Sequence, residues 1–348
     1  MTITIPKPEK PWQASPIQSL ATLGPVFGAA LISYSLVSVT ALKGKLAYFI
    51  VFFLAFLILS FIQQSLRMGL PAGKDALLSG FAVLGITLTM IPIISIVSTV
   101  YMRGRKGLHW GLFTNDMSMA TPNDPITSGG LLHSLLGTLI IVGCALIISF
   151  PIGILTALYL TEIRGIFQRP IKFLVQAMSG VPSIVAGLFI LSSIVYPITK
   201  EYSGFMGSLA LSILMIPTIA RTSEEVLNLI PNELREAGVA LGATQWRAVA
   251  MVVVPAAKSG LVTAIILGVA RVVGETAPLL LLTGGGDSTN LNPFTGSMGS
   301  LPFYVWKAFL VGGTEESLTR AWAGLFVLLM WVLLLFAGAR YLSSRKVK

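Results

Sequence analysis

Residues 233–255 read ELREAGVALGATQWRAVAMVVVP, a polar-bearing stretch enclosed between strongly apolar runs in the second half of the chain. Pro231 suits the first turn of a helix, and Gly242 suits the left-handed residue that ends one. Thr244 can cap a second short helix, whose continuation Pro255 interrupts. The stretch therefore predicts two short helices with a tight turn between them on a membrane surface, although a plain amphipathic connector would show the same spacing.

The composition places the chain in a membrane. Of its 348 residues, 54% are hydrophobic and only 11% are charged, and the mean hydropathy is +0.84. Soluble domains average about 25% charged residues, so we expect a polytopic membrane protein. The net charge of +10 does not indicate nucleic-acid binding, because the basic residues lie at membrane edges rather than on one basic face.

The sequence offers few groups for metal or catalytic chemistry. Cys144 is the only cysteine, so a disulfide framework and a cysteine-cluster metal site are both excluded. His109 and His133 are the only histidines and lie far apart in the sequence. We therefore predict no catalytic residues, no metal site and no cofactor bound by this chain.

Eight apolar runs approach the length of about 20 residues that crosses a bilayer. They cover residues 21–42, 46–62, 76–100, 133–160, 173–198, 204–221, 259–282 and 320–342. The first run also carries glycine, proline and several serines, which membrane helices tolerate. The predicted fold class is therefore an all-α polytopic membrane helix bundle, and no cleaved signal peptide is expected.

The placement of Lys and Arg predicts the orientation of the bundle. Fifteen of them flank the spans on the side of the N-terminus, against eight on the other side. This bias puts both termini and the loop at 222–258 in the cytoplasm. The loops at 101–132 and 283–319 then face outward, where they could contact an external partner or serve only as solvated connectors.

Charges inside a predicted span mark the first candidate site. Arg271 and Glu275 lie four residues apart in the span 259–282, so on one continuous helix they would share a face and could pair. Such charges cost roughly 2.5–3.5 kcal/mol each on insertion scales and are functional candidates by default. Gly274 and Pro278 expose backbone groups nearby. A buried ion pair that only fixes helix packing is the alternative.

Two further candidates lie near span ends. Arg221 ends the predicted span 204–221 and could reach Glu225, or could simply extend to the membrane interface. Ser183 lies in the run SGVPSI at 179–184, which suggests a kinked helix lining a pathway, although close helix packing explains the small residues equally well. An arginine in a dry cavity favours an anionic solute without choosing among phosphate, sulfate and a carboxylate.

The central stretch resembles the EAA loop of ABC importer permeases. The match consists of Glu236-Ala237-Gly238, then Gly242, Val252 and Val254-Pro255. It departs in having Gly238 where the family usually has Ala, which weakens a helix by about 1 kcal/mol, and Val for Ile and Leu at the end. The resemblance implies that Glu236, Ala237, Gly238 and Gly242 form a cytoplasmic helix and turn that dock in a cleft of the ATP-binding subunit.

A wider resemblance, over about residues 77–342, is to PstA-type permeases of bacterial phosphate-specific ABC importers. The matching runs include Gly180-Val181-Pro182-Ser183, Arg221-Thr222-Ser223-Glu224-Glu225, Ser300-Leu301-Pro302 and, most specifically, Gly274-Glu275-Thr276-Ala277-Pro278-Leu279-Leu280. This resemblance implies that Arg221, Arg271 and Glu275 lie along a phosphate route, and Ser183 joins them as a pathway candidate. It also implies a six-helix core within residues 76–342.

The same resemblance implies the domain plan and the partners. Residues 21–75 would hold two extra transmembrane helices, and residues 1–20 and 343–348 would be cytoplasmic tails. The partners would be an ATPase dimer, a second permease chain of the PstC type, an extracytoplasmic phosphate-binding protein, inorganic phosphate and the lipid of the bacterial cytoplasmic membrane. ATP would be used by the partner, because the chain has no Walker A pattern.

Other classes remain open on the residues alone. A permease for another solute would share the whole architecture. A secondary anion transporter also needs buried Arg and Glu, but it would not need the segment 233–255. A membrane enzyme lacks an evident nucleophile and base. A purely structural subunit would tolerate the loss of Arg271.

Overall fold

The computed structural model describes residues 23–40, 44–163 and 165–344. Within these ranges the secondary structure is helical, and the only β pairing is an isolated bridge between Gly284 and Met298. The predicted all-α class is confirmed.

Six helices in the described ranges are long and apolar enough to cross a membrane. They are Lys45–Met68, Leu70–Gly107, Leu132–Ile163, Gly204–Asn228, Gln245–Val273 and Glu315–Gly338. A bent pair of helices raises the number to seven if the pair forms one span. The prediction of a polytopic membrane helix bundle is therefore confirmed.

The chain divides into two compact units, Met1–Val97 and Ser98–Lys348. The first unit contains α1 (Gly24–Val39), α2 (Lys45–Met68) and most of α3 (Leu70–Gly104). Helices α1 and α2 pack as a hairpin.

Helix α1 is shorter than the predicted span 21–42. It has 16 residues, fewer than the roughly 20 that cross a bilayer. Residues 21–22 and 41–42 of that prediction lie outside the described residues. The Ser33 hydroxyl donates a hydrogen bond of 2.8 Å to the carbonyl of Tyr48 and so ties α1 to α2.

The segment between the second and third predicted spans is helical except at Gly69. Helix α2 continues to Met68 and α3 begins at Leu70, so only Gly69 separates them. Gly69 has φ +87°, a left-handed conformation that glycine adopts without a steric penalty. One residue therefore separates two long helices.

The second unit holds the remaining helices. They are α4 (Trp110–Thr114), α5 (Leu132–Leu158), α6 (Gln168–Ser179), α7 (Ser183–Ile190), α8 (Gly204–Asn228), α9 (Asn232–Ala240), α10 (Gln245–Ala248), α11 (Val254–Val273), α12 (Ala277–Leu282), α13 (Leu301–Val311) and α14 (Glu315–Ser344). Three of them, α5, α7 and α10, continue into π-helical turns at Tyr159–Ile163, Leu191–Thr199 and Val249–Val253. A π turn holds an extra residue in the helix and often occurs at a functional position.

Helix α8 lies at the centre of the second unit, packed between α5 and α11. Its Ile219 is fully buried between two glycines. A Cβ atom at Gly153 of α5 would lie 2.8 Å from the Ile219 side chain, and one at Gly268 of α11 would lie 2.6 Å from it. The glycines let the three helices approach closely, as small residues do at helix interfaces in membranes.

The predicted span 173–198 is two helices. α6 and the helix Ser183–Thr199 meet at an angle of 104°. The break falls at Gly180–Pro182, where Pro182 has an extended backbone with ψ 139°. A kink was predicted here, and its size reflects both the missing N–H of Pro182 and the restriction that a proline places on the residue before it.

The predicted span 259–282 is also divided, and it begins much earlier. Helix α11 ends at Val273, Gly274–Thr276 is non-helical, and the short α12 follows. Pro278 lies in the first turn of α12, where its missing N–H costs nothing. At the other end α10, its π turn and α11 form one helical span from Gln245 to Val273.

Candidate functional site

Two breaks in membrane helices lie in neighbouring elements. Helix α7 begins directly after the break at residues 180–182, and α12 begins directly after the break at 274–276. The two helices pack together where a Cβ atom on Gly187 would lie 2.9 Å from the Cα of Pro278. Non-helical backbone at membrane depth is tolerated only where it is buried in protein or lines a water-filled cavity. The paired breaks therefore define a candidate pathway.

Arg271 and Glu275 both lie at this place, but they do not share a helix face. Arg271 is exposed in the last turn of α11, whereas Glu275 is half-buried in the break. The prediction of one continuous helix is wrong here, because α11 stops two residues before Glu275. The ion pairs between described residues are Lys172–Glu224, Arg235–Glu162 and Lys307–Asp287, so Arg271 and Glu275 are not paired.

Arg221 lies within α8, not at its end. The helix continues for two further turns to Asn228, and the Arg221 side chain is exposed. The expected contact with Glu225 is not among the ion pairs of the described residues. The neighbouring Glu224 instead forms an ion pair with Lys172 of α6, with 2.9 Å between Lys172 Nζ and Glu224 Oε1.

The two candidate arginines lie on adjacent antiparallel helices. Gly260 of α11 packs against Val226 of α8, and Gly268 packs against Ile219 one helical stretch further on. Continuing this register places Arg271 about five residues from the level of Arg221, which is roughly 8 Å along the helix pair at 1.5 Å per residue. Both side chains are exposed in the single chain.

Ser183 lies at the first of the two breaks. It is the first residue of α7, directly after the extended Pro182, and it is half-buried. The structure thus places Ser183 and Glu275 each at the break that precedes one of two packed helices, α7 and α12. It places Arg221 and Arg271 on the pair α8 and α11.

The segment 233–255 forms the two predicted helices, α9 and α10, with a tight turn between them. Gly242 has φ +84° and its N–H donates to Val239 at 2.9 Å, while the N–H of Ala243 donates to Gly238 at 3.3 Å. These two hydrogen bonds are the Schellman pattern that ends a helix at a left-handed glycine. The predicted stop at Gly242 is confirmed.

Two details of that prediction are wrong. Pro231 precedes α9 in an extended conformation rather than lying in its first turn. Pro255 does not interrupt a helix, because the π turn Val249–Val253 comes before it and Pro255 then occupies the first turn of α11. The loop predicted at 222–258 therefore covers fewer residues. It runs from the end of α8 at Asn228 to the start of α10 at Gln245.

Gly238 is buried although it lies on a surface helix. A Cβ atom at this position would lie 3.1 Å from the Cβ of Ala248, so glycine lets α9 approach α10 closely. Glu236 and Ala237 on the same helix are exposed. Glycine in place of the usual alanine therefore has a packing reason on the face of α9 that contacts α10. The face that carries Glu236 and Ala237 stays exposed.

Large apolar side chains are exposed around this segment. Leu229 is 81% exposed, Leu241 90% and Trp246 60%, and Val239 and Met251 are exposed too. Exposed apolar side chains are found at interaction sites when they cluster. Glu236 and Ala237, the residues predicted to dock, are exposed and lie near these apolar residues in sequence.

The sequence analysis missed the ion pair that holds α9. Arg235 donates to both carboxylate oxygens of Glu162, at 2.9–3.2 Å, and also to the carbonyl of Leu227 at 2.8 Å. The side chains are only 19% and 6% exposed. Glu162, an acidic residue at the polar end of an apolar run, was the available signal, but its partner lies 73 positions away.

At the other end of the second unit, two loops distant in sequence bind each other. The Asp116 carboxylate accepts hydrogen bonds from the Ser118 hydroxyl at 2.6 Å and from the N–H and hydroxyl of Thr289 at 3.0 Å each. The Ser118 hydroxyl contributes most to lowering the pKa of Asp116 from 3.8 to about 2, and burial opposes it. Met117 also donates its N–H to the carbonyl of Asp287 at 2.9 Å.

Comparison with known proteins decides the family. The model of the family described as binding-protein-dependent transport system inner membrane component matches residues 149–348. The chain belongs to this family. Its bundle is that of an ABC importer permease.

Curated relatives carry the name of a phosphate permease. The chain is 36% identical over 278 residues, 78% of this chain and 90% of the relative, to "Phosphate transport system permease protein PstA 1" of Mycobacterium tuberculosis (strain CDC 1551 / Oshkosh). It is also 36% identical to "Phosphate transport system permease protein PstA" of Haemophilus influenzae (strain ATCC 51907 / DSM 11121 / KW20 / Rd), over 82% of this chain and 99% of the relative. The recognition of a PstA-type permease is confirmed.

A solved structure shares the fold. The structure titled "Inward facing conformations of the MetNI methionine ABC transporter: CY5 native crystal form" aligns with a TM-score of 0.50 at 22% identity, covering 62% of this chain and 95% of that one. The family match and the curated relatives make this chain a multi-pass membrane transport subunit, and the family implies an ATPase and a solute-binding protein as partners.

Proposed function

We propose that this chain is a phosphate-conducting permease subunit of an ATP-driven importer in the bacterial cytoplasmic membrane. The observation that carries the proposal is the 36% identity over 78% of the chain to a protein named as a phosphate permease. The exposed arginines Arg221 and Arg271 beside two broken helices support an anionic solute.

In this mechanism Arg271 lowers the electrostatic barrier to the anion at the break between α11 and α12. Arg221 extends the cationic surface along α8. Glu275, half-buried and unpaired with Arg271, accepts a hydrogen bond from a protonated phosphate, which sulfate at neutral pH cannot donate. Ser183 offers a hydroxyl from the opposite break. The exposed faces of α8 and α11 would meet a second, homologous permease of the PstC type across a central pore.

Energy comes from outside this chain. An ATPase dimer binds and hydrolyses ATP, and its closure moves the helix that carries Glu236 and Ala237. The turn at Gly242 passes that movement into the spans that end at Asn228 and begin at Gln245. The pore then alternates between outward and inward openings. A phosphate-binding protein delivers its solute to the paired loops, which lie on the extracytoplasmic side when both termini are cytoplasmic.

Uptake by a reconstituted complex tests the proposal. Vesicles would contain this chain, the ATPase dimer and the second permease, with the binding protein outside. We expect ATP-dependent phosphate uptake, a loss of at least tenfold in Arg271→Ala with assembly intact, and a smaller loss in Arg271→Lys, which keeps the charge but not the planar fork.

The controls separate the alternatives. Uptake without the ATPase would favour a secondary transporter, and uptake of another solute instead of phosphate would keep the architecture and change the substrate. Normal flux in Arg271→Ala would favour a purely structural subunit. In Glu275→Gln we expect weaker discrimination between phosphate and sulfate; unchanged discrimination would remove Glu275 from the selectivity mechanism.

A further inference from the structure

The bidentate pair between Arg235 and Glu162 occupies an unusual place in the second unit. Arg235 belongs to α9, the surface helix that also carries Glu236 and Ala237. Glu162 belongs to the π turn Tyr159–Ile163 at the far end of the α5 span. The pair therefore joins a surface helix to a membrane span that lies 73 positions earlier in the chain.

Arg235 binds a second membrane span at the same time. Its guanidinium donates to the carbonyls of Leu227, at 2.8 Å, and Ile230. Leu227 is in the last turn of α8, and its carbonyl also accepts the N–H of Ile230 at 3.2 Å. One side chain thus links α9 to the ends of both α5 and α8, and its planar fork with several donors suits this arrangement.

The pair lies at the wall of an open groove. This groove of about 830 Å³ is lined by Thr161 and Glu162 of the π turn after α5 and by Asn232, Arg235 and Val239 at α9. Ala248 of α10, which Gly238 of α9 approaches closely, also lines it. Arg235 and Glu162 form the polar connection between α9 and the π turn at this place.

The π turn adds a second connection at the same point. Gln245, the first residue of α10, donates its side-chain amide to the carbonyl of Glu162 at 2.7 Å. Glu162 therefore binds α9 through its carboxylate and α10 through its backbone carbonyl. Helix α10 itself continues through a π turn into α11. Three spans, α5, α8 and α11, converge on one short segment.

We propose that Arg235 and Glu162 are positioning residues that transmit movement of α9 to the inner ends of α5 and α8. The inference rests on the proposed function, because it assigns the movement to the ATPase that binds the exposed side of α9. Without the pair, α9 could still bind the partner through Glu236, Ala237 and Leu241, but its displacement would no longer reach α5.

The decisive variant is Glu162→Gln, which keeps the size of the side chain and removes the charge. In the full reconstituted complex we expect normal assembly and basal ATP hydrolysis, with phosphate transported per ATP reduced at least fivefold. Arg235→Gln should give a similar reduction, and the double variant should be no worse than either single variant, as a shared interaction requires.

The matched control is Lys172→Met, which removes the ion pair of Lys172 with Glu224. That pair also joins two helices at the end of α8, but its lysine is 53% exposed. We expect less than a twofold change in phosphate transported per ATP. An equal loss in this control would overturn the special role of Arg235 and Glu162.

Hydrogen exchange gives a readout that does not depend on the solute. In the assembled wild-type complex, ATP should change the exchange of residues 154–163, and Glu162→Gln should abolish that change. An unchanged exchange response or an unchanged ratio of phosphate to ATP in Glu162→Gln would overturn the proposal.

Failure of Glu162→Gln to assemble would also overturn it, because the pair would then only hold the docking surface together. Absence of phosphate uptake in the wild type would reject the proposed substrate, while exchange would still decide the role of the pair.

Discussion

Outside the spans, the two ends of the second unit satisfy the hydrogen bonds of their backbone groups in different ways. At the end formed by the paired loops, residues 108–131 and 283–300 satisfy each other through Asp116, Thr289 and the Met117–Asp287 backbone bond. At the end formed by residues 229–253, short helices satisfy their own backbones, and the main polar connection to the spans is Arg235–Glu162.

The difference concerns freedom of movement. The paired loops are joined by hydrogen bonds between distant parts of the chain, which restrict their separate movement. Helix α9 is attached by one buried ion pair, one close helix contact and a glycine turn. Elements that move are drawn from the less constrained parts of a structure. A helix that a partner displaces therefore needs few attachments, and these must connect it to the helices that move with it.

Removing Arg320 should have the largest effect on stability. This side chain is 1% exposed, and its guanidinium donates to the carbonyls of Asp124 and Pro125, which fixes one of the paired loops to α14. Arg320→Met leaves these two part-buried carbonyls without their charged donor and should lower stability by about 3 kcal/mol. Thermal unfolding of the purified chain in detergent measures this loss. An unchanged unfolding temperature would show that the paired loops are not held by this residue.

Changing Gly242 should affect coupling more than stability. Its φ of +84° is unfavourable for a residue with a side chain, so Gly242→Leu should strain the turn by roughly 1–2 kcal/mol and tilt α9 against α10. We expect ATP hydrolysis to continue while phosphate transported per ATP falls several-fold. Gly313→Leu is the control, because Gly313 lies at the opposite end with open space around it and no positive φ. Normal coupling in Gly242→Leu would contradict the docking assignment.

The smallest expected effect is the pH dependence from Asp116. Because its pKa is lowered from 3.8 to about 2 in the folded chain, ionised Asp116 stabilises the paired loops above about pH 4, and this contribution disappears as the pH falls towards 2. Asp116→Asn should remove that part of the pH dependence. Unfolding temperatures of both proteins between pH 5 and pH 2.5 measure it, and parallel curves would rule out the contribution.

Much of the fold followed from the sequence because the signals are local. Apolar runs of sufficient length predicted the spans, and Gly242 predicted the left-handed stop that the structure contains. The predictions failed where a proline was assigned to the wrong part of a helix. Pro231 precedes α9 in an extended conformation rather than lying in its first turn, and Pro255 lies in the first turn of α11 after a π turn, a feature that periodicity does not reveal.

The candidate site was predicted less completely. The sequence pointed to Arg271 and Glu275, but their separation of four residues suggested a pair that the end of α11 at Val273 prevents. The roles of Arg221, Ser183 and the EAA residues remain predictions for the experiments above. Arg235 and Glu162 were missed because a spacing of 73 residues carries no periodic signal.

The sequence by itself determined that this protein is a membrane helix bundle of the importer permease family, because hydropathy, glycine turns and motif spacing are properties of neighbouring residues. Only the tertiary structure decided that Arg271 and Glu275 do not pair with each other, that Gly153 and Gly268 enclose Ile219, and that Arg235 joins α9 to two spans. These features depend on which distant side chains meet, and that is fixed by the packing of helices whose faces the sequence order does not specify.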